Sequence, residues 1–141
     1  MPPYSAEPST AHGELRAALH ELVGRFLADY ERAALAHGLT LPQARALGFA
    51  ACEPLSQRAL AARFGCDPSN ISVLVDRLVE RSLVERRPDP SDGRVKLIAA
   101  TDAGRDVAER CCREREWLSS TLDQLTDEQR DELRAALELL L

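Results

Sequence analysis

The chain has 141 residues, of which 45% are hydrophobic and 29% charged, and its formal net charge is −5. That length suits one domain with a core that needs no disulfide or metal staples, and the apolar content excludes a wholly disordered chain. No apolar run approaches the roughly 18 residues of a membrane span, and Met1–Gly13 lacks the basic start and apolar core of a signal peptide, so a cytoplasmic location without a membrane partner is expected.

The net charge hides a split. Residues 55–100 hold eight basic and six acidic side chains, a surplus of two, while the rest of the chain holds ten basic and seventeen acidic. A basic segment inside an acidic protein is one mark of a nucleic-acid surface. Cys52, Cys66, Cys111 and Cys112 form no Cys-x-x-Cys pair, and His12, His20 and His37 lie far apart, so no structural metal is expected. The sequence holds no Gly-rich phosphate loop, no His-Glu-x-x-His pair and no nucleophile elbow, so neither an enzyme nor a cofactor is expected.

In chain order, residues 1–13 are rich in Pro, Ser and Gly and read as a mobile tail. Residues 14–141 read as one domain. From Glu14 a helix is predicted, with Leu15, Leu19, Leu22, Phe26, Tyr30 and Ala33 in one stripe and Gly38 as its cap. A helix this long near a terminus suits packing against a second chain. Thr40 and Gln43 have capping-box spacing and open a second helix, which Pro54 ends. Ser56 caps a short helix, Gln57 to Phe64, and Gly65 breaks it. Asp67 and Pro68 then give an N-cap followed by proline at the first helical position, opening a helix from Pro68 to about Arg81. Ala61, Gly65, Ile71 and Leu74 have the spacing of a helix-turn-helix interior. Two short β-prone runs within residues 83–100 flank the loop Pro88–Arg94 and predict a β-hairpin, a wing. Thr101 caps a helix predicted from Asp102 to about Leu122, and Thr126 with Gln129 opens a last one carrying Leu133, Leu137, Leu140 and Leu141.

Several of these residues resemble the MarR family (multiple antibiotic resistance regulators) over roughly residues 39–110. The resemblance runs through Leu39-Thr40-x-x-Gln43, Pro54-Leu55-Ser56, Leu60-Ala61, Gly65 to Ile71, Leu74 to Leu78 and Leu83 to Arg86. Its most diagnostic part is Asp89-Pro90-x-Asp92-x-Arg94 followed by Thr101-Asp102-x-Gly104. It implies a mainly α fold with a small β-hairpin: a winged helix-turn-helix at 40–100, with dimerisation helices at 14–38 and 102–141. It further implies a homodimer on an approximately palindromic DNA site. The helix at 68–81 would lie in the major groove and the wing in the flanking minor groove. Members often repress, and a small-molecule ligand or thiol oxidation can release the DNA. Three departures stand out. Ser82 replaces the usual Gly, so a less sharply turned helix end is expected. Gly93 replaces a commonly basic residue, and Val73 stands where many members are polar or basic.

Ser69, Asn70 and Ser72, in the first turns of the second helix, are the candidate base readers. The plainer reading is that Ser69 and Asn70 satisfy free backbone donors. Arg77 is a candidate phosphate contact or a partner for Asp76 or Glu80. Arg86 and Arg87 alternate across a strand, so one of them faces DNA, with Arg86 the candidate. Asp92 is placed to orient Arg94 for the minor groove. Tyr30, Phe49 and Trp117 are candidate ligand-pocket residues, with ordinary core packing as the competing reading. The cysteines read as packing residues. The expected function is a sequence-specific DNA-binding transcription regulator, a repressor released by a small molecule. The alternative is a winged helix used only for protein–protein contact or dimerisation.

Overall fold

The structure, a computed structural model, describes residues 10–141. The order is α1 (Thr10–Ala36), α2 (Leu41–Cys52), β1 (Leu55–Ser56), α3 (Gln57–Phe64), α4 (Pro68–Glu80), β2 (Val84–Pro88), β3 (Lys96–Ala100), α5 (Asp102–Arg113), α6 (Glu116–Asp123) and α7 (Asp127–Glu138). The chain divides into two compact units. Tyr30–Glu116 forms one, and the described part of Met1–Asp29 with Trp117–Leu141 forms the other.

In the Tyr30–Glu116 unit the predicted punctuation is in place. The Thr40–Gln43 capping box opens α2, the Ser56 hydroxyl accepts the N–H of Ala59, and Asp67 caps α4. The α1, α3 and α4 helices end in one way. The N–H groups of Leu39, Cys66 and Leu83 reach back to the carbonyls of Ala34, Ala61 and Leu78, and those of Gly38, Gly65 and Ser82 to Leu35, Ala62 and Val79. This double bond pattern requires a left-handed residue just past the helix. Gly38 and Gly65 supply it at φ 67° and 64°, and Ser82 supplies it at φ 58°. The looser turn expected at Ser82 is therefore absent. The hydroxyl of Thr101 donates to the Ser82 carbonyl at 2.7 Å and holds the strained residue in place.

The wing is a three-stranded antiparallel sheet in the order β1-β3-β2, not the two-stranded hairpin expected. Leu55 pairs with Ile98 and Ser56 with Leu97, while Arg86 faces Ile98 and Arg87 faces Leu97 on the other side. Leu39, Leu47, Leu60, Ile71, Val75, Leu78, Val84 and Ile98 fill the core. Gly104 closes the wing's base: a Cβ there would lie 1.8 Å from the Leu83 carbonyl oxygen, so only glycine fits.

Two boundaries and one burial pattern differ from expectation. The first helix starts at Thr10, so Thr10–Gly13 is helical rather than tail, and the remainder of the expected tail lies outside the described residues. The helix expected from Asp102 to about Leu122 is broken into α5 and α6. At the break, the Glu114 carbonyl accepts Arg32 at 2.7 Å and its carboxylate meets His37 at 2.9 Å. These partners take Glu114 out of the helical pattern. Finally, Leu15 and Leu22 of the predicted apolar stripe are exposed.

In the second unit, Thr126 and Gln129 form the expected capping box of α7. The Arg130 guanidinium donates to the carbonyls of Leu122 and Leu125, which fastens the turn between α6 and α7. Leu133, Leu137, Leu139, Leu140 and Leu141 are all exposed. Among the described residues, no helix is long and apolar enough to cross a membrane.

Candidate nucleic-acid interface

The start of α4 is built around Asp67. Its Oδ1 accepts the Ser69 N–H at 2.9 Å and the Ser69 hydroxyl at 2.7 Å. The hydroxyl bond first, and the backbone bond second, hold the Asp67 carboxyl below its ordinary range. Asp67, not Ser69, satisfies the backbone donor here, and the Ser69 hydroxyl donates to Asp67 while its oxygen keeps lone pairs that can accept. Asn70 is exposed, and Ser72 is half-buried. The Gln57 amide donates to the Pro68 carbonyl at 2.9 Å and sets the angle between α3 and α4 at its open end.

Further along α4 the charges pair. Arg77 lies 3.8 Å from Glu80, a loose exposed contact worth little. Asp76 is engaged not by Arg77 but by Arg86, at 2.6 Å, so Arg86 braces the wing against α4. The register explains this: Arg86 shares the face of buried Ile98, and Arg87 points the other way. Arg87, on the opposite face of β2, is exposed. At the C-terminus of α4, Arg81 donates to the carbonyls of Gly38 at 2.7 Å and His37 at 2.9 Å. Sequence reasoning did not single out Arg81.

The wing loop is ordered by two aspartates. Asp89 Oδ1 accepts the N–H and hydroxyl of Ser91, and these bonds, hydroxyl first, keep its carboxyl low. Asp92 Oδ1 accepts both the backbone N–H and Nε of Arg94 at 3.1 Å. Cross-bonds from Asp89 to Val95 and from Val95 to Asp92 close the loop. Arg94 is 93% exposed, so its guanidinium is aimed yet fully in solvent. Gly93 beside it has open space around its α-carbon.

Of the aromatic candidates, Tyr30 and Phe49 each have their own partners in the Tyr30–Glu116 unit. Tyr30 donates to the Ala44 carbonyl, carries the Arg115 guanidinium 4.7 Å from its ring centroid, and has its hydroxyl pKa raised by burial. Phe49 packs edge-on against Phe64, with Arg63 over its own ring and Arg45 over that of Phe64. Trp117 belongs to the other unit. Among the cysteines, Cys111 is buried with its thiol pushed up by desolvation, in keeping with packing. Cys66 is half-buried, but Cys52 and Cys112 are exposed.

Comparison with known proteins agrees with this architecture. The family profile described as MarR family matches residues 37–95. The crystal structure of CouR from Rhodococcus jostii RHA1, bound to p-coumaroyl-CoA, superposes with a TM-score of 0.76 at 31% identity, covering 94% of this chain and 95% of that one. A MarR-family transcriptional regulator from Rhodococcus sp. RHA1 gives a TM-score of 0.74 at 31% identity, over 94% of this chain and 97% of its own. An HTH-type transcriptional regulator from Mycobacterium tuberculosis is 34% identical over 84 residues, and that match spans 59% of either chain. With its helix-turn-helix, aspartate-ordered wing and near-complete overlap with these structures, the chain belongs to the MarR family.

Proposed function

We propose that this protein is a sequence-specific DNA-binding transcription regulator that works in the cytoplasm as a homodimer on an approximately palindromic site. The first turns of α4, with Ser69, Asn70 and Ser72, enter the major groove. Arg94 enters the flanking minor groove, where A·T-rich sequence concentrates negative potential. Arg77 and Arg87 supply phosphate contacts, and Arg86 steadies the wing through Asp76. The observation that carries the reading is the Asp92–Arg94 pair. An Arg that is 93% exposed yet held by its backbone N–H and its Nε has been oriented for a partner outside the chain.

The dimer is supported by apolar surface that a lone copy leaves in water: Leu15 and Leu22 on α1, and Leu133, Leu137 and Leu140 at the C-terminus. The protein represses until a small-molecule effector releases it. That CouR was crystallised with an acyl-CoA supports an effector here without naming it. Tyr30, half-buried beside Arg115, is its best-placed aromatic contact.

A binding titration on DNA upstream of the protein's own gene tests the proposal. Affinity should fall steeply with salt. Arg94→Ala should weaken binding by roughly 1–3 kcal/mol with an unchanged circular dichroism spectrum. Equal affinity of the two proteins would remove Arg94 from the interface. Absence of binding to any duplex would favour a winged helix used for protein contact.

A further inference from the structure

The outward face of α4 carries one apolar side chain. Ile71, Val75 and Leu78 are buried, and Ser69, Asn70, Asp76, Arg77 and Glu80 are exposed. Val73 lies among them and is 65% exposed. It is two residues from both Ile71 and Val75, so at about 100° per residue it points almost directly away from the core. A single exposed valine on a protein surface is ordinary. Its setting here is not, because every other side chain on this face is polar or charged.

We infer that Val73 is a specificity-determining residue that reads the 5-methyl group of a thymine in the major groove. The inference rests on the DNA-binding reading above. Thymine alone of the four bases presents an apolar group there. Valine offers no hydrogen bond, so against guanine or cytosine it would displace water from polar edges and give nothing back. Against a thymine methyl it removes apolar surface from water on both sides. A β-branched side chain in a helix keeps essentially one rotamer, so the contact costs little ordering. Asn70 lies one helical turn before Val73 on the same face, and Arg77 one turn after. The methyl is therefore read within one or two base steps of the base that Asn70 faces.

The test uses the full chain and its own operator, with each thymine replaced singly by deoxyuridine, which removes only the methyl. Wild type should lose about fourfold in affinity at one thymine position in each half-site. Val73→Ala should bind the unmodified operator about fourfold more weakly and lose sensitivity to deoxyuridine at that position. Val73→Ile should keep the sensitivity. Wild-type binding that tolerates deoxyuridine everywhere overturns the inference, as does a loss that persists unchanged in Val73→Ala. Either result leaves salt-dependent operator binding intact and so is distinct from failure of the DNA-binding reading, in which no duplex is bound and this assignment falls as well.

Discussion

In the Tyr30–Glu116 unit, Leu39, Leu47, Leu60, Ile71, Val75, Leu78, Val84 and Ile98 are at most 2% exposed, whereas Leu133, Leu137 and Leu140 in the other unit stand at 40%, 37% and 67%. The same residue types meet opposite fates. In the first unit, helices and a small sheet bracket the apolar side chains from several directions, with α1, α3 and α4 ended by left-handed turns. In the second, α7 is well capped but presents its leucines to solvent. Local helix signals are thus equally good in both, and only tertiary closure separates them. A winged helix can close its core within one chain, while the C-terminal helix leaves leucines in water.

The widest separation of the two units should come from charging the C-terminal leucines. Leu133→Glu combined with Leu137→Glu removes two apolar contacts, together worth roughly 3–6 kcal/mol if fully buried. Sedimentation should show the proposed dimer converted to monomer at micromolar concentration, while the helix-turn-helix and wing keep their amide exchange protection. An unchanged mass would break the contrast.

The converse change is Gly104→Ala. Its Cβ would sit 1.8 Å from the Leu83 carbonyl oxygen, which is backbone and cannot swing aside. The winged unit should lose about 3 kcal/mol or more in denaturant unfolding. Stability within 1 kcal/mol of wild type would show that the α5–wing junction yields easily, contrary to a closed core.

Ser82→Gly should act the other way, by about 0.5–1 kcal/mol. Ser82 holds φ 58°, which costs a residue with a Cβ more than it costs glycine. Part of the gain is returned as unfolded-chain entropy. A lower midpoint of thermal unfolding would contradict the strain.

The smallest effect concerns Asp67. Its pKa is lowered, so its contribution is present above the unfolded value of about 3.9 and is lost as pH falls through the lower folded one. Ser69→Ala removes the larger cause and should move the Asp67 titration upward towards the ordinary value in carboxyl NMR. No movement would assign the shift to the backbone bond alone.

Much of the winged unit was legible in the chain. Ser56, Gly65, Asp67 and Pro68 each force a local geometry, and they bracket the helix-turn-helix to the residue. The wing was legible because its prolines and aspartates permit few conformations, and the Asp92–Arg94 pair followed from its spacing together with the family resemblance. What escaped depended on distant partners. A two-residue strand such as β1 has no periodicity and exists because β3 is there to pair with it. The break after Arg113 depends on Arg32 and His37, some eighty residues earlier. The pairing of Arg86 with Asp76 needed the strand register, and the tie from Arg81 to the end of α1 joins residues more than forty apart. Aromatic residues could be counted but not grouped, because Phe49 found Phe64 while Tyr30 met Arg115.

The pairing of Leu55 with Ile98 also sets an order in time. Both helices of the helix-turn-helix lie inside the loop that β1 and β3 close. On a chain growing from its N-terminus at about 5–20 residues per second, α3 and α4 are synthesised seconds before the strand that encloses them. Until β3 emerges they lack the sheet that completes their core, and closing so long a loop carries an entropic cost that local helix formation does not. The α4 helix is therefore made before the strand that frames it, so a chain stalled before residue 98 would carry α4 without its frame.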